Sequence, residues 1–122
     1  MRLITLACLL ALPACSLFEE APKYVVFFQE RSAELDMPAQ GVIAQVARAS
    51  STQTAKVKVV GYTDSAGSPS ADIALSQQRA QVVADDLVAN GIASSRLVRR
   101  GQGQTNANPG VASRRVEIII AP

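Results

Sequence analysis

The sequence predicts an α+β fold, a mixed four-stranded sheet with helices packed on one face. Three observations predict it. Four short runs rich in β-branched and aromatic residues are separated by turn chemistry. Two longer segments between them repeat their apolar residues at helical spacing. The resulting order is β-α-β-α-β-β, in which strand–helix–strand crossovers should be right-handed and leave their strands parallel. The last two strands share a short connection and are expected to run antiparallel.

Each element has its own signal. Tyr24-Val25-Val26-Phe27-Phe28 is a β-rich run and reads as a buried strand. Asp36 can cap a helix that carries Pro38 in its first turn. Ala39, Val42, Ile43, Val46 and Ala47 then recur at helical spacing, so this helix runs to about Ser50. Val57, Val59 and Val60 make a second strand ending at Gly61-Tyr62. Thr63 to Ser70 is turn chemistry. The second helix is expected over Ala71 to Ala89, with Leu75, Ala80, Val83 and Leu87 as its apolar stripe and Asn90-Gly91 as its stop. Leu97 to Gly103 reads as the third strand, and Val111 to Ile120 holds the fourth, with Val116, Ile118 and Ile120 on one face.

The N-terminal segment points to a compartment. Met1-Arg2 is a short basic start, and Leu3 to Leu12 is apolar but shorter than the about 20 residues that span a bilayer. That is the pattern of a secretory leader. Leu12-Pro13-Ala14-Cys15 resembles the lipobox of bacterial lipoproteins, although Pro13 is unusual there. Residues 1–14 are therefore expected to be a signal peptide and Cys15 a lipidated mature N-terminus. Residues 15–23 then form a short acidic linker and 24–122 the domain, about 100 residues, an ordinary size for one core. A plain signal peptide cut nearby is the alternative. Ser16 in place of an aspartate implies sorting to the outer membrane, with the domain on its periplasmic face. Two or three acyl chains anchor firmly where one does not.

Composition excludes several functions. The chain has no histidine, which removes a catalytic imidazole and most zinc sites; no metal or cofactor is expected. Cys8 lies in the leader, so Cys15 would remain alone and no disulfide could form. A net charge of +2 is too small for a nucleic-acid surface.

The sharpest feature is a pair of opposite charges. The second strand runs into a lone carboxylate, Asp64, and the following helix carries Arg79 on its otherwise apolar side. Two such groups can grip a zwitterion, a ligand bearing both an ammonium and a carboxylate. Arg79 would lie about 12 Å along the helix from Ala71, so the loop must let the helix run back past Asp64. Each residue also has a plainer reading. Asp64 could stabilise its own turn, and Arg79 could pair with it to hold helix to loop.

These segments resemble the OmpA-like family of peptidoglycan-binding domains over about residues 24–120. Gly61-Tyr62-Thr63-Asp64 with Gly67 looks like G-[HY]-T-D-x-x-G, and Leu75-Ser76-x-x-Arg79-Ala80 with Val83 and Leu87 looks like L-S-x-x-R-A-x-x-V-x-x-x-L. Gly91 and Arg114-Arg115-Val116-Glu117 match the family's helix end and terminal motif. With the lipobox, the chain is similar to small Pal-like lipoproteins.

The resemblance implies a non-enzymatic domain that grips the free end of meso-diaminopimelate in peptidoglycan. Asp64 would accept from its ammonium and Arg79 would offer a planar fork to its carboxylate. Phe28, Thr63 and Leu75 match pocket-lining positions. Asp72 stands where the family usually has asparagine, adding a negative charge to the pocket. The first strand runs on as Phe28-Gln29-Glu30-Arg31, without the family's second aromatic and aspartate.

Three function classes follow. The first is a binding module that ties the outer membrane, through its lipid anchor, to peptidoglycan. The second is an envelope protein-interaction module, a Tol-type partner or a subunit of an envelope machine, in which the pocket has drifted. The third, an enzyme, would need Asp64 and Asp72 as a carboxylate pair and is set aside.

Overall fold

A computed structural model describes residues 21–105 and 110–121. The expected leader, Cys15 and the linker as far as Glu20 lie outside these residues, as does Pro109 in the late loop. The described elements are β1 (Lys23–Phe27), α1 (Met37–Ser50), β2 (Val57–Thr63), α2 (Pro69–Ala89), β3 (Leu97–Gln104) and β4 (Arg115–Ile120), with short 3-10 turns at Ser94–Arg96 and Val111–Ser113.

The four strands form one sheet in the order β1-β4-β2-β3. β4 lies antiparallel to both β1 and β2, while β2 and β3 are parallel, as their helical crossover requires. β3 and β4 run in opposite senses as expected, but they are not neighbours, because β2 separates them. An interior place suits β4, which buries Val116, Ile118 and Ile120 on one face. These meet Val57 and Val59 of β2 and Val26 of β1, and the core is closed by Ile43, Val46 and Ala47 of α1 and Ala80, Val83 and Leu87 of α2. Alternation along each strand sends the other residues outward.

Helix starts follow capping chemistry. Asp36 accepts from Ala39 N–H at 2.9 Å, as the sequence predicts for α1. α2 begins at Pro69, two residues before the expected Ala71. Ser68 caps it through Ala71 N–H at 3.2 Å, and Pro69 takes the first helical position, where its missing N–H costs nothing. The Ser-Pro pair was readable as a helix start rather than as turn. α2 ends in a left-handed Gly91 (φ 103°), with Gly91 N–H bonded to Val88 O and Ile92 N–H to Leu87 O. Val111–Ser113, expected inside the fourth strand, forms a 3-10 turn instead.

One seam fixes the position of everything near Asp64. A methyl group on Gly61 would lie 2.1 Å from the Ser76 carbonyl oxygen, so β2 and α2 touch backbone to backbone there. Ser76 Oγ also accepts from Gly103 N–H at 2.9 Å, tying the same helical turn to β3. α2 thus runs back along β2, past the strand end that carries Asp64.

Candidate functional site

Asp64 follows the last residue of β2. Its Oδ1 accepts from Ala66 N–H at 3.3 Å, the local turn bond that Asp makes readily. Its Oδ2 lies 3.3 Å from Arg114 Nη1. Arg114 immediately precedes β4, and its backbone continues the ladder to β1, since Phe28 N–H bonds to Arg114 O at 2.8 Å. Its side chain returns to the same place, with Nε donating to Phe28 O at 3.1 Å. The adjacent Arg115 points the other way, as alternation demands, and stacks over the Tyr62 ring at 4.3 Å.

Arg79 is fully buried. Its Nε donates to Ser32 O at 2.7 Å, Nη1 to Tyr62 O at 3.1 Å and Nη2 to Gln29 O at 3.0 Å. The guanidinium lies 5.2 Å from the centroid of Phe28, which is also buried. The sequence reading has Arg79 opening its fork to a ligand; in this conformation the fork faces backbone carbonyls and binds the β1–α1 loop to the end of β2. Burial lowers the Arg79 pKa to about 10, against the nearby negative charge of Asp64 and with the like charges of Arg31 and Arg114. It remains a cation at neutral pH.

Asp72, in the first turn of α2, is completely buried. Arg31 Nη1 donates to its Oδ1 at 2.7 Å, while Gln104 Nε2 at 2.8 Å and Gly67 N–H at 3.3 Å donate to its Oδ2. Burial by itself would raise its pKa, but those three donors and the Arg31 charge outweigh it and hold the carboxyl below the usual range. The extra negative charge expected to unbalance the pocket is therefore matched inside the protein. Asp72 is not available to work with Asp64 as a catalytic pair.

Thr63 is buried, and its Oγ1 has no hydrogen-bond partner among the described residues. Leu75 is half-buried on α2. Among the described residues no cluster of histidine, cysteine, aspartate and glutamate could hold a metal.

Asp64, Asp72, Arg31 and Arg114 all act electrostatically on Arg79. The motif residues are thus brought to one end of the sheet, where β2, the β1–α1 loop, the first turn of α2 and the start of β4 converge. The sequence reading places Asp64, Arg79 and Asp72 there but does not assign Arg31, Arg114 or Gln104 to the site. For Arg114 a signal existed, because two consecutive arginines at a strand start put one on each face.

Residues 27–116 match the OmpA family. ArfA of Mycobacterium bovis, a peptidoglycan-binding protein, is 44% identical over 73 residues, which is 54% of this chain and 22% of ArfA. The probable lipoprotein YiaD of Escherichia coli is 41% identical over 73 residues, 54% of this chain and 33% of YiaD. The chain therefore matches only about a fifth to a third of the length of these relatives. Among solved structures, the OmpA-like domain of FopA1 from Francisella tularensis superposes with a TM-score of 0.72 at 25% identity, covering 82% of this chain and 72% of that domain. With its fold, its motifs and the match over residues 27–116 in agreement, the chain belongs to the OmpA family.

Proposed function

We propose that this chain binds peptidoglycan non-covalently through the free zwitterionic end of diaminopimelate, and that a lipidated Cys15 makes the contact a tether between outer membrane and cell wall. The observation that carries the reading is the charge cluster at the end of β2. Two carboxylates, Asp64 and Asp72, and two guanidiniums, Arg31 and Arg114, act on the charge of Arg79, and these five groups together carry +1. Asp72 is sealed from solvent, so Asp64 is the carboxylate that a ligand can reach. It accepts two bonds, from Ala66 N–H and Arg114, where a carboxylate can accept about four. An ammonium can take the remainder. The surplus positive charge favours a carboxylate next to it, and the buried Arg79 adds to that field at reduced screening. ArfA, a peptidoglycan-binding protein by name, supports the wall-binding part of the reading through its sequence likeness.

One observation favours a second reading, the protein-interaction module with Tol-type or other envelope partners. Each of the three guanidinium nitrogens of Arg79 donates to a carbonyl inside the protein, which is what a drifted pocket would look like.

Sedimentation with purified diaminopimelate-type peptidoglycan separates the two. The parent protein should pellet with the wall, and Asp64→Ala should stay in the supernatant while unfolding at nearly the parent temperature. Equal sedimentation of both proteins would remove Asp64 from the site, and failure of the parent to pellet would leave the interaction module as the better account. Metabolic palmitate labelling checks the anchor: it should tag the parent and not Cys15→Ser, and equal labelling of the two would remove Cys15 from that role.

A further inference from the structure

Both helices pack on one face of the sheet, where Val26, Val59, Val116 and Ile118 are buried. The opposite face is open, with Lys23, Phe27, Lys58, Val98 and Arg100 exposed on it. Strand register arranges its side chains in rows. The first row is Lys23, Ile119, Lys58 and Val98, and the second is Val25, Glu117, Val60 and Arg100. Phe27, Arg115 and Tyr62 follow, with the Arg115 guanidinium stacked over the Tyr62 ring. Between β2 and β3 the face is hollowed into a groove of about 330 Å³ that Gln102 also lines.

Two properties separate this face from an ordinary solvated one. A solvated sheet face presents polar residues outward. Here valine, isoleucine, phenylalanine and tyrosine make up half of the outward side chains, and Phe27 and Val98 are 48% and 47% exposed. The charge also has one sign. Lys23, Lys58, Arg100 and Arg115 oppose one carboxylate, Glu117, which lies 3.5 Å from Lys23 and 3.3 Å from Arg115. The face therefore carries +3, and the other side chains of the described residues cancel, 7 cations against 7 carboxylates. The whole positive excess of the described residues lies on the open face.

The chain also joins the domain here. Pro22 O accepts from Ile120 N–H at 3.0 Å, and Lys23 then opens the first row. Residues 16–22, between Cys15 and Lys23, span at most about 25 Å. Asp64 stands past the far end of β2 beside Arg114, whose side chain leaves the sheet on the opposite side from Arg115.

We infer that the open face lies on an anionic phospholipid surface, with its lysines and arginines at the headgroup phosphates and Phe27 and Val98 against the acyl boundary. The inference goes beyond wall binding but rests on the lipidated Cys15 proposed above. A domain on so short a leash meets the bilayer at high effective concentration, so weak contacts are enough to orient it. Each lysine or arginine near an anionic surface adds attraction that fades within a Debye length. Cations spread over three rows, rather than gathered in one pocket, match a plane of headgroups. Lipid and wall would then be held on different sides of the sheet.

The test uses the mature lipidated protein carrying Val98→Cys, on vesicles of phosphatidylcholine alone and of phosphatidylcholine mixed with phosphatidylglycerol. The readout is the rate at which an uncharged, water-soluble maleimide reacts with the thiol at position 98. Lipidated Cys15 offers no thiol, and Gln45→Cys on the exposed side of α1 serves as the reference. On the anionic vesicles the rate at position 98 should fall about fivefold or more, with little change at position 45. Salt at about 1 M, where screening acts within about 3 Å, should restore it. Adding Lys58→Glu and Arg100→Glu turns the face from +3 to −1 and should abolish the slowing, with thermal unfolding close to the parent's. Equal rates at position 98 on both vesicle types overturn the inference and leave the face to an acidic protein partner. Equal slowing at position 45, or slowing that survives the charge reversal, overturns it as well. Protein that joins neither vesicle removes the anchor, and with it both the proposed tether and this inference.

Discussion

The site has two layers that use the same residue types in opposite ways. In the lower layer, Arg79 and Asp72 are sealed from solvent, and their bonds go to other parts of the protein. In the upper layer, Asp64 and Arg31 each make one ion pair and keep part of their surface open. The difference lies in where the unsatisfied capacity remains. A buried charge must be fully bonded, because leaving it short costs far more in a low dielectric than in water. A rim charge can stay partly free, because water fills the gap until a ligand displaces it. Stability should therefore depend on the lower layer and recognition on the upper.

Arg79→Leu should give the largest effect and would break that comparison if it failed. The substitution strands the carbonyls of Gln29, Ser32 and Tyr62 and removes the cation over Phe28. Losing a buried, multiply bonded charge costs about 3–5 kcal/mol, a large share of the stability of a domain this size. Chemical denaturation should record a loss of that order, with the β1–α1 loop becoming the first region to exchange its amides. A variant as stable as the parent would mean that Arg79 is not the clamp its bonds suggest.

Sequence made the local features legible and left the long-range ones hidden. The capping of α1 by Asp36, the glycine stop after α2 and the strand that delivers Asp64 depend on residues within a few positions of one another. The burial of Arg79 was also visible, since it shares a helical stripe with Leu75, Ala80, Val83 and Leu87; its three carbonyl partners, which come from distant parts of the chain, were not. The order β1-β4-β2-β3 was not legible, because a short connection between consecutive strands suggests a hairpin and nothing local says that β2 will separate them. Arg31, whose backbone is left-handed with φ 53°, was hidden for a stronger reason. A left-handed arginine has no sequence signature of the kind glycine or asparagine gives. Its pairing with Asp72 exists only once the β1–α1 loop has closed over α2, so the two residues read as separate anomalies. Their opposite charges were the single hint that they belong together.

Asp72→Asn sharpens the comparison with a smaller effect. The folded carboxyl sits below its ordinary range because Arg31, Gln104 and Gly67 N–H favour the charged form more than burial disfavours it. An unfolded aspartate titrates near pH 3.9, so the stabilisation from Asp72 is fully present above that value and is lost as pH falls through the lower, folded pKa. At neutral pH the asparagine variant should be less stable by about 1–3 kcal/mol, since it exchanges charge-assisted bonds for neutral ones. On acidification the parent should lose this contribution and the variant should not, so the gap between them should narrow below about pH 4. Denaturation curves collected from neutral pH down to pH 3 decide the matter. A gap that stays constant over the whole range would mean that the Arg31–Asp72 contact contributes by shape and hydrogen bonding alone, and that the lower layer is held without help from its charge.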